Sequence, residues 1–208
     1  MLDVPVYVTQ STSIAEWMTA IGTLAAAVAT FLAVLVALFG RDLWDRRHRP
    51  ILEIAYEPKE PYCRYTQLAS GVAARWVRVK VTNRGRGSAR ECRGKMIAAY
   101  GSDGSPRGDR DPLLLRWAAI PKDQQMQPLD LAPKEGQFLN VVVATSDNQN
   151  EATIATEPGG RFGFSPTLEA GQTHLVRLGV YADNAEPMTA EFVITYGGGL
   201  DSLKMERA

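Results

Sequence analysis

From Trp17 to Gly40 the chain runs for 24 residues without a charged side chain, and the ten residues after Gly40 carry four arginines. As a helix that stretch measures roughly 36 Å, enough to cross a hydrocarbon layer of about 30 Å with some tilt. A buried helix of a soluble domain is rarely apolar on every face over such a length. Ser13-Ile-Ala-Glu16 reads as a capping box, and Pro50 limits the helix at its far end. The pattern therefore predicts a short tail over 1–12, then a membrane helix and its basic flank over 13–49. A cleaved signal peptide fits poorly, because no basic residue precedes the apolar run and no small-x-small site closes it.

After Pro50 the period changes to two. "WVRVKVT" sets Val77, Val79 and Val81 against Arg78, Lys80 and Thr82, the pattern of a half-buried strand. "LVRLGVY" and "AEFVITY" alternate in the same way, and "ILEIAYE", "KMIAAYG", "LLLRWAA" and "FLNVVVA" read as further strands. Turn chemistry separates them at Asn83-Arg-Gly85, Asp103-Gly104, Asp130 to Gly136, Glu157 to Gly160 and Glu169-Ala-Gly171. No amphipathic helix of useful length follows Pro50. The expected fold is mainly β: one N-terminal transmembrane α-helix, then an antiparallel β-sandwich over 50–198 and a tail over 199–208.

Charge adds an orientation. Residues 1–40 carry −2, 41–120 carry +8 and 121–208 carry −6, so a net charge of zero hides a basic middle and an acidic end. Arg41, Arg46, Arg47 and Arg49 follow the span, whereas no lysine or arginine precedes it. Basic flanks stay on the cytoplasmic side, which predicts a single-pass inner-membrane protein with its N-terminus outside and its C-terminal domain in the cytoplasm. Trp17 and Trp44 lie 27 residues apart. On a helix that separation is roughly 40 Å, which suits one headgroup layer each. Arg46, Arg47 and Arg49 are expected to touch anionic headgroups. Along the span Gly22, Ala25, Ala29, Ala33 and Ala37 recur on one side, with Ala26 nearby. Small residues at that spacing let a second membrane helix approach, from another copy or a partner. Cys63 and Cys92 lack C-x-x-C spacing, which argues against zinc. In a cytoplasmic domain reduced thiols are expected, and outside the cell a disulfide is open to them.

The stretch "WVRVKVTNRGRGSARECRGKMIAAYG" resembles the opening hairpin of bacterial immunoglobulin-like domains, in particular the cell-adhesion-related domain found in bacteria. "LEAGQTHLVRLGVYADN" is similar to their later turn and strand. The resemblance implies an immunoglobulin-like sandwich acting as a binding or scaffolding module, usually outside the cell. It covers two pieces of the domain and speaks to fold more than to function.

Candidate chemistry is sparse. The only histidines, His48 and His174, are read as a headgroup-region residue and a strand residue. No G-x-S-x-G, phosphate loop or dinucleotide fingerprint is present, and Asp103, Asp109 and Asp111 miss the calcium-loop spacing. Arg107-Gly108-Asp109 is read as coincidence. No catalytic residue, metal ligand or cofactor is assigned. Residues 75–95 concentrate Arg75, Arg78, Lys80, Arg84, Arg86, Arg90, Arg93 and Lys95 against the single acid Glu91. On a hairpin these would form a basic patch, either solvated or turned to headgroups or a partner. With Trp76 as the nearest aromatic, the patch is a poor platform for nucleic acid. The function expected is a membrane-anchored, non-catalytic binding or scaffolding module whose partners are the bilayer and another protein, as a subunit of a membrane assembly. Its rivals are an envelope or adhesion module facing outside and a tethered hydrolase using loop carboxylates.

Overall fold

The computed structural model describes residues 13–107, 112–156 and 167–208; the side chains of 41–46, and with them Arg41, Trp44 and Arg46, lie outside the described part. The chain divides into two units at Arg47 and His48.

The first unit is one helix, α1 (Ile14–Arg47). Its start is capped reciprocally: Ser13 Oγ accepts from Ala15 N at 3.1 Å, and Glu16 Oε2 accepts from Ser13 N at 3.0 Å. Over Ile14–Gly40 it is long and apolar enough to cross a membrane. The polar side chains within it satisfy themselves. Thr19, Thr23 and Thr30 each donate to the carbonyl four residues back at 2.8 Å, which removes the cost of an unpaired hydroxyl in an apolar medium.

The second unit is built from strands. In chain order they are β1 (Leu52–Ala55), β2 (Cys63–Gln67), β3 (Ala73–Asn83), β4 (Ala89–Tyr100), β5 (Pro106–Arg107), β6 (Leu113–Leu114), β7 (Leu129–Leu131), β8 (Gly136–Thr145), β9 (Asn148–Ile154), β10 (Thr167–Glu169), β11 (Gln172–Ala182), β12 (Ala185–Tyr196) and β13 (Lys204–Arg207). One antiparallel sheet runs β1-β3-β8-β9-β10, with β2 beside β3. The other runs β13-β12-β11-β4, and β5, β6 and β7 line successive parts of the free edge of β4. Period-two patterning packs the sheets face to face. Val77, Val79 and Val81 from one meet Val176, Leu178, Val180, Phe192 and Ile194 from the other in a continuous core. Tyr56, half-buried beside the first sheet, lies edge-on to Phe192 at 6.1 Å.

Three expectations are corrected. β3 and β4 do not pair as a hairpin: the Asn83-Arg-Gly85 segment carries the chain from one sheet to the other, because β3 already has β1 and β2 on one side and β8 on the other. "LLLRWAA" is a strand only at Leu113–Leu114; beyond them the segment leaves β4 and bridges to the other sheet at Leu115 and Trp117. The stretch expected as a tail is structural. A 3₁₀ turn at Leu200–Ser202 leads into β13 on the edge of β12, with Leu203 and Met205 buried in the core.

One residue holds the crossover. Asn83 is fully buried, and its Oδ1 accepts from Ile51 N at 3.2 Å and Gly85 N at 2.9 Å. Its Nδ2 donates to Gly87 O at 2.7 Å and Leu131 O at 3.0 Å. The entering chain then lies so close to the turn that a Cβ on Gly85 would stand 2.3 Å from Arg49 O, which only glycine allows. Asn83→Ala leaves four backbone groups without their partner, and is expected to cost about 3 kcal/mol of stability. Urea unfolding of the full-length protein in neutral detergent, followed by tryptophan fluorescence, measures this; a loss below about 1 kcal/mol would mean that the bridge is dispensable.

Candidate functional site

The outer face of the β3–β8–β9 sheet carries a cavity of about 640 Å³. Its floor follows from register. Trp76 pairs with Val143 and Val143 with Thr153, which makes one row across three strands. Arg78 pairs with Asn140, and Asn140 N donates to Arg116 O at 2.9 Å, which makes the next. A bulge in β8 makes this possible. Val141 and Val142 are both buried, so the pleat slips by one residue and Asn140 and Val143 share the outer face. Leu115 and Trp117 point inward, and Arg116 and Ala118 therefore face the cavity. At Ala119 the backbone turns with φ 58°, and the following loop brings Lys122 and Gln125 over one wall. Leu68, Ala69 and Ser70, from the β2–β3 turn, form the opposite wall.

The electrostatics are one-sided. Arg78, Arg116 and Lys122 line the cavity, and none of the lining residues is acidic. Arg78 is only 8 % exposed, and Arg78 Nε, Arg116 Nε and Asn140 Oδ1 are buried without a hydrogen-bond partner among the described residues. Burial pushes the pKa of both guanidinium groups down, and for Arg78 the nearby positive charge of Arg64 adds to the effect. Trp76 is held by its own bond, Nε1 donating to Thr66 Oγ1 at 3.0 Å. The site thus sets two partly desolvated cations beside the apolar surfaces of Trp76 and Val143 in the floor and Leu68 in the wall.

The eight cations expected as one patch are dispersed, because β3 and β4 belong to different sheets. Arg75 reaches the β12–β13 connection, where its Nη1 donates to Leu200 O at 3.1 Å and to Tyr65 Oη at 3.0 Å and pairs with Asp201 at 3.5 Å. Tyr65 in turn donates to Asp201, which pushes the phenol pKa up. Arg78 faces the cavity, and Lys80 follows it on the same side of β3. Arg84 is exposed and paired with Glu53, Arg93 pairs with Glu91, and Lys95 sits 5.4 Å over the Tyr181 ring. Arg86 and Arg90 are exposed.

Of the expected membrane-interface residues, Trp17 and Arg47 are exposed on α1, and Arg49 pairs with Glu186 at 3.7 Å. Gly22, Ala25, Ala29, Ala33 and Ala37 are exposed along the helix. Asp109, Asp111 and the Gly108-Asp109 part of the tripeptide lie outside the described residues. His174 is buried in β11.

Arg116, Lys122, Asn140 and Trp76 were missed as a group. The available signal was a lone arginine inside the apolar run "LLLRWAA", which a core strand does not tolerate without a purpose. No family model, curated protein or solved structure matches the chain.

Cys63 and Cys92 are buried free thiols with separate contacts: Cys63 Sγ lies 3.4 Å from Tyr56 Oη, and Cys92 Sγ donates to Ala89 O at 3.6 Å. Burial, with a smaller contribution from the Asp130 carboxylate, pushes the Cys92 thiol from its ordinary 9.0 up to about 11. A raised thiol pKa stabilises the fold below pH 9.0, and that contribution is lost as pH rises toward about 11. At pH 8 the native Cys92 thiolate population is expected to be about a hundredfold below that of an ordinary cysteine. Alkylation of the folded and the urea-unfolded protein, read by mass at each cysteine, checks this; equal rates at Cys92 would refute it.

Proposed function

We propose that this chain is a membrane-anchored, non-catalytic binding module: α1 spans the bilayer, and the sandwich works at the cytoplasmic face. The observation that carries the reading is where the exposed apolar surface lies. Apart from Ile51 and Tyr65, the large exposed hydrophobic side chains of the described residues all belong to α1. An apolar surface of that length is stable in lipid and a liability in water. The basic flank after the span supports the inward orientation. Anchoring confines the sandwich to a thin layer, which raises its effective concentration toward neighbours in the same membrane. The small-residue side of α1, Gly22 to Ala37, gives a second membrane helix room to approach, and a subunit role in a membrane assembly follows from it.

The connectivity supports the immunoglobulin-like reading. β1, β3 and β8 share one sheet, β4, β11 and β12 share the other, and between strands the chain crosses at 84–88, returns at 132–135 and crosses again at 170–171. That is the Greek-key arrangement of such sandwiches. It also supports the alternative placement, an envelope module facing outside, because similar domains usually work there.

One measurement separates the two. Cys63 and Cys92 are buried, so an exposed reporter is needed, and Glu206→Cys on β13 supplies it. With a membrane-impermeant maleimide, labelling is expected only after lysis. Labelling of intact cells would overturn the cytoplasmic placement, and recovery of the protein in the soluble fraction would overturn the anchor.

A further inference from the structure

We propose that the cavity on the outer face of the β3–β8 sheet binds the phosphoryl group of a small organic phosphate between Arg78 and Arg116, with the organic part against Trp76. The inference rests on the binding-module reading but not on which side of the membrane the sandwich faces.

The sheet places the two arginines. Neighbouring strands are about 4.8 Å apart, so the backbones at Arg78 and Arg116 stand roughly 10 Å from each other on either side of Asn140. Both side chains line the same cavity as Asn140. A guanidinium presents a planar fork of donors that fits two oxygens of a phosphate or carboxylate. Two forks on either side of one point suit a tetrahedral dianion. A single carboxylate has one charge and two oxygens, and would leave the second fork uncompensated.

The fold gives these arginines no other use. Arg75, Arg84, Arg93 and Arg177 each have a carboxylate partner, whereas Arg78 and Arg116 have neither an ion pair nor a side-chain hydrogen bond among the described residues. A cation nine-tenths buried without a counter-charge weakens a fold. An anionic ligand supplies that charge, and Lys122 at the rim adds attraction during entry. The volume of about 640 Å³ suits a small molecule rather than a bare ion, and the Trp76–Val143 row offers its organic part an apolar surface.

Phosphoryl groups reach such a site from two sources, a soluble metabolite or a lipid headgroup. The test uses the full-length protein in neutral detergent and in nanodiscs of neutral lipid, with phenyl phosphate, inorganic phosphate and phenol as probes. Phenyl phosphate is expected to bind saturably and raise the melting temperature, inorganic phosphate to bind at least tenfold more weakly, and phenol to have no effect. Arg78→Met and Arg116→Met are each expected to weaken phenyl phosphate at least tenfold, and Arg86→Gln, on exposed turn surface, to leave it unchanged. Without ligand, Arg78→Met is expected to melt higher than the wild type, because it removes the uncompensated charge. If nanodiscs doped with phosphatidate stabilise the wild type, and not Arg78→Met, while phenyl phosphate does nothing, the phosphoryl group comes from lipid. No stabilisation of the wild type by phenyl phosphate or by phosphatidate overturns the proposal. So does an Arg78→Met protein that binds as the wild type does, or one that melts lower without ligand, since Arg78 would then be structural.

Discussion

The fold turns on the carboxamide of Asn83. A strand that leaves one sheet and enters another must break its ladder, and every backbone group freed at the break needs a new partner. Asn83 supplies four of them from one side chain, two as acceptor and two as donor. Its backbone adds two more, because Lys134 N donates to Asn83 O and Asn83 N to Glu135 O. Three segments far apart in sequence meet there: the chain entering the sandwich, the crossover itself and the β7–β8 connection. No smaller residue offers both donors and acceptors at this reach, and aspartate would set a carboxylate oxygen against two carbonyls. The close approach at Gly85 follows, since the entering chain is drawn onto the turn by the same hydrogen bonds.

The second constraint is the slip in β8. A regular strand would put Asn140 and Val143 on opposite faces, one in the core and one in solvent. By burying Val141 and Val142 together, the chain restores both to the outer face and opens the edge on which the Leu115–Ala118 segment lands. That segment changes sheets within a few residues. Leu115 and Trp117 go to the core, and Arg116 is carried to the outside of the opposite sheet. The cavity is therefore a consequence of two irregularities meeting, a bulge and a sheet switch, and irregularities of this kind re-aim side chains at functional sites.

Those irregularities mark the limit of what the sequence disclosed. Strands with one wet face, such as Val77 to Val81 and Val176 to Val180, were legible because burial on one side writes a period of two. The helix was legible because a run of 24 residues without a charge exceeds what the helix of a soluble domain carries. β2 and β9 were not read, because "CRYTQ" and "NQNEATI" are largely polar and pair along partly exposed faces, where the alternation fades. β13 looked like a tail because only Leu203 and Met205 in the last residues are buried. The basic patch failed for a topological reason. Residues 75–95 are neighbours in sequence, but the crossover at Asn83 sends their two halves to different sheets. Arg78 gained Arg116 as a neighbour instead, about forty positions away, and alternation along one strand carries no trace of such a pairing.

The apolar helix and the cavity make different demands on the same chain. Between Trp17 and Gly40 the helix carries no charge, and Thr19, Thr23 and Thr30 turn their hydroxyls back on its own carbonyls. The sandwich does the reverse at one place on its surface, burying Arg78 and partly burying Arg116 with no acid among the residues that line the cavity. A domain stable enough to carry that cost can keep the charge in place for an anion. The dense inter-sheet core, with Asn83 closing its crossover, provides that margin. On this view the uncompensated arginines are affordable only because the strands beneath them are held from both sides, and a ligand would stabilise the region where the sheet is least regular.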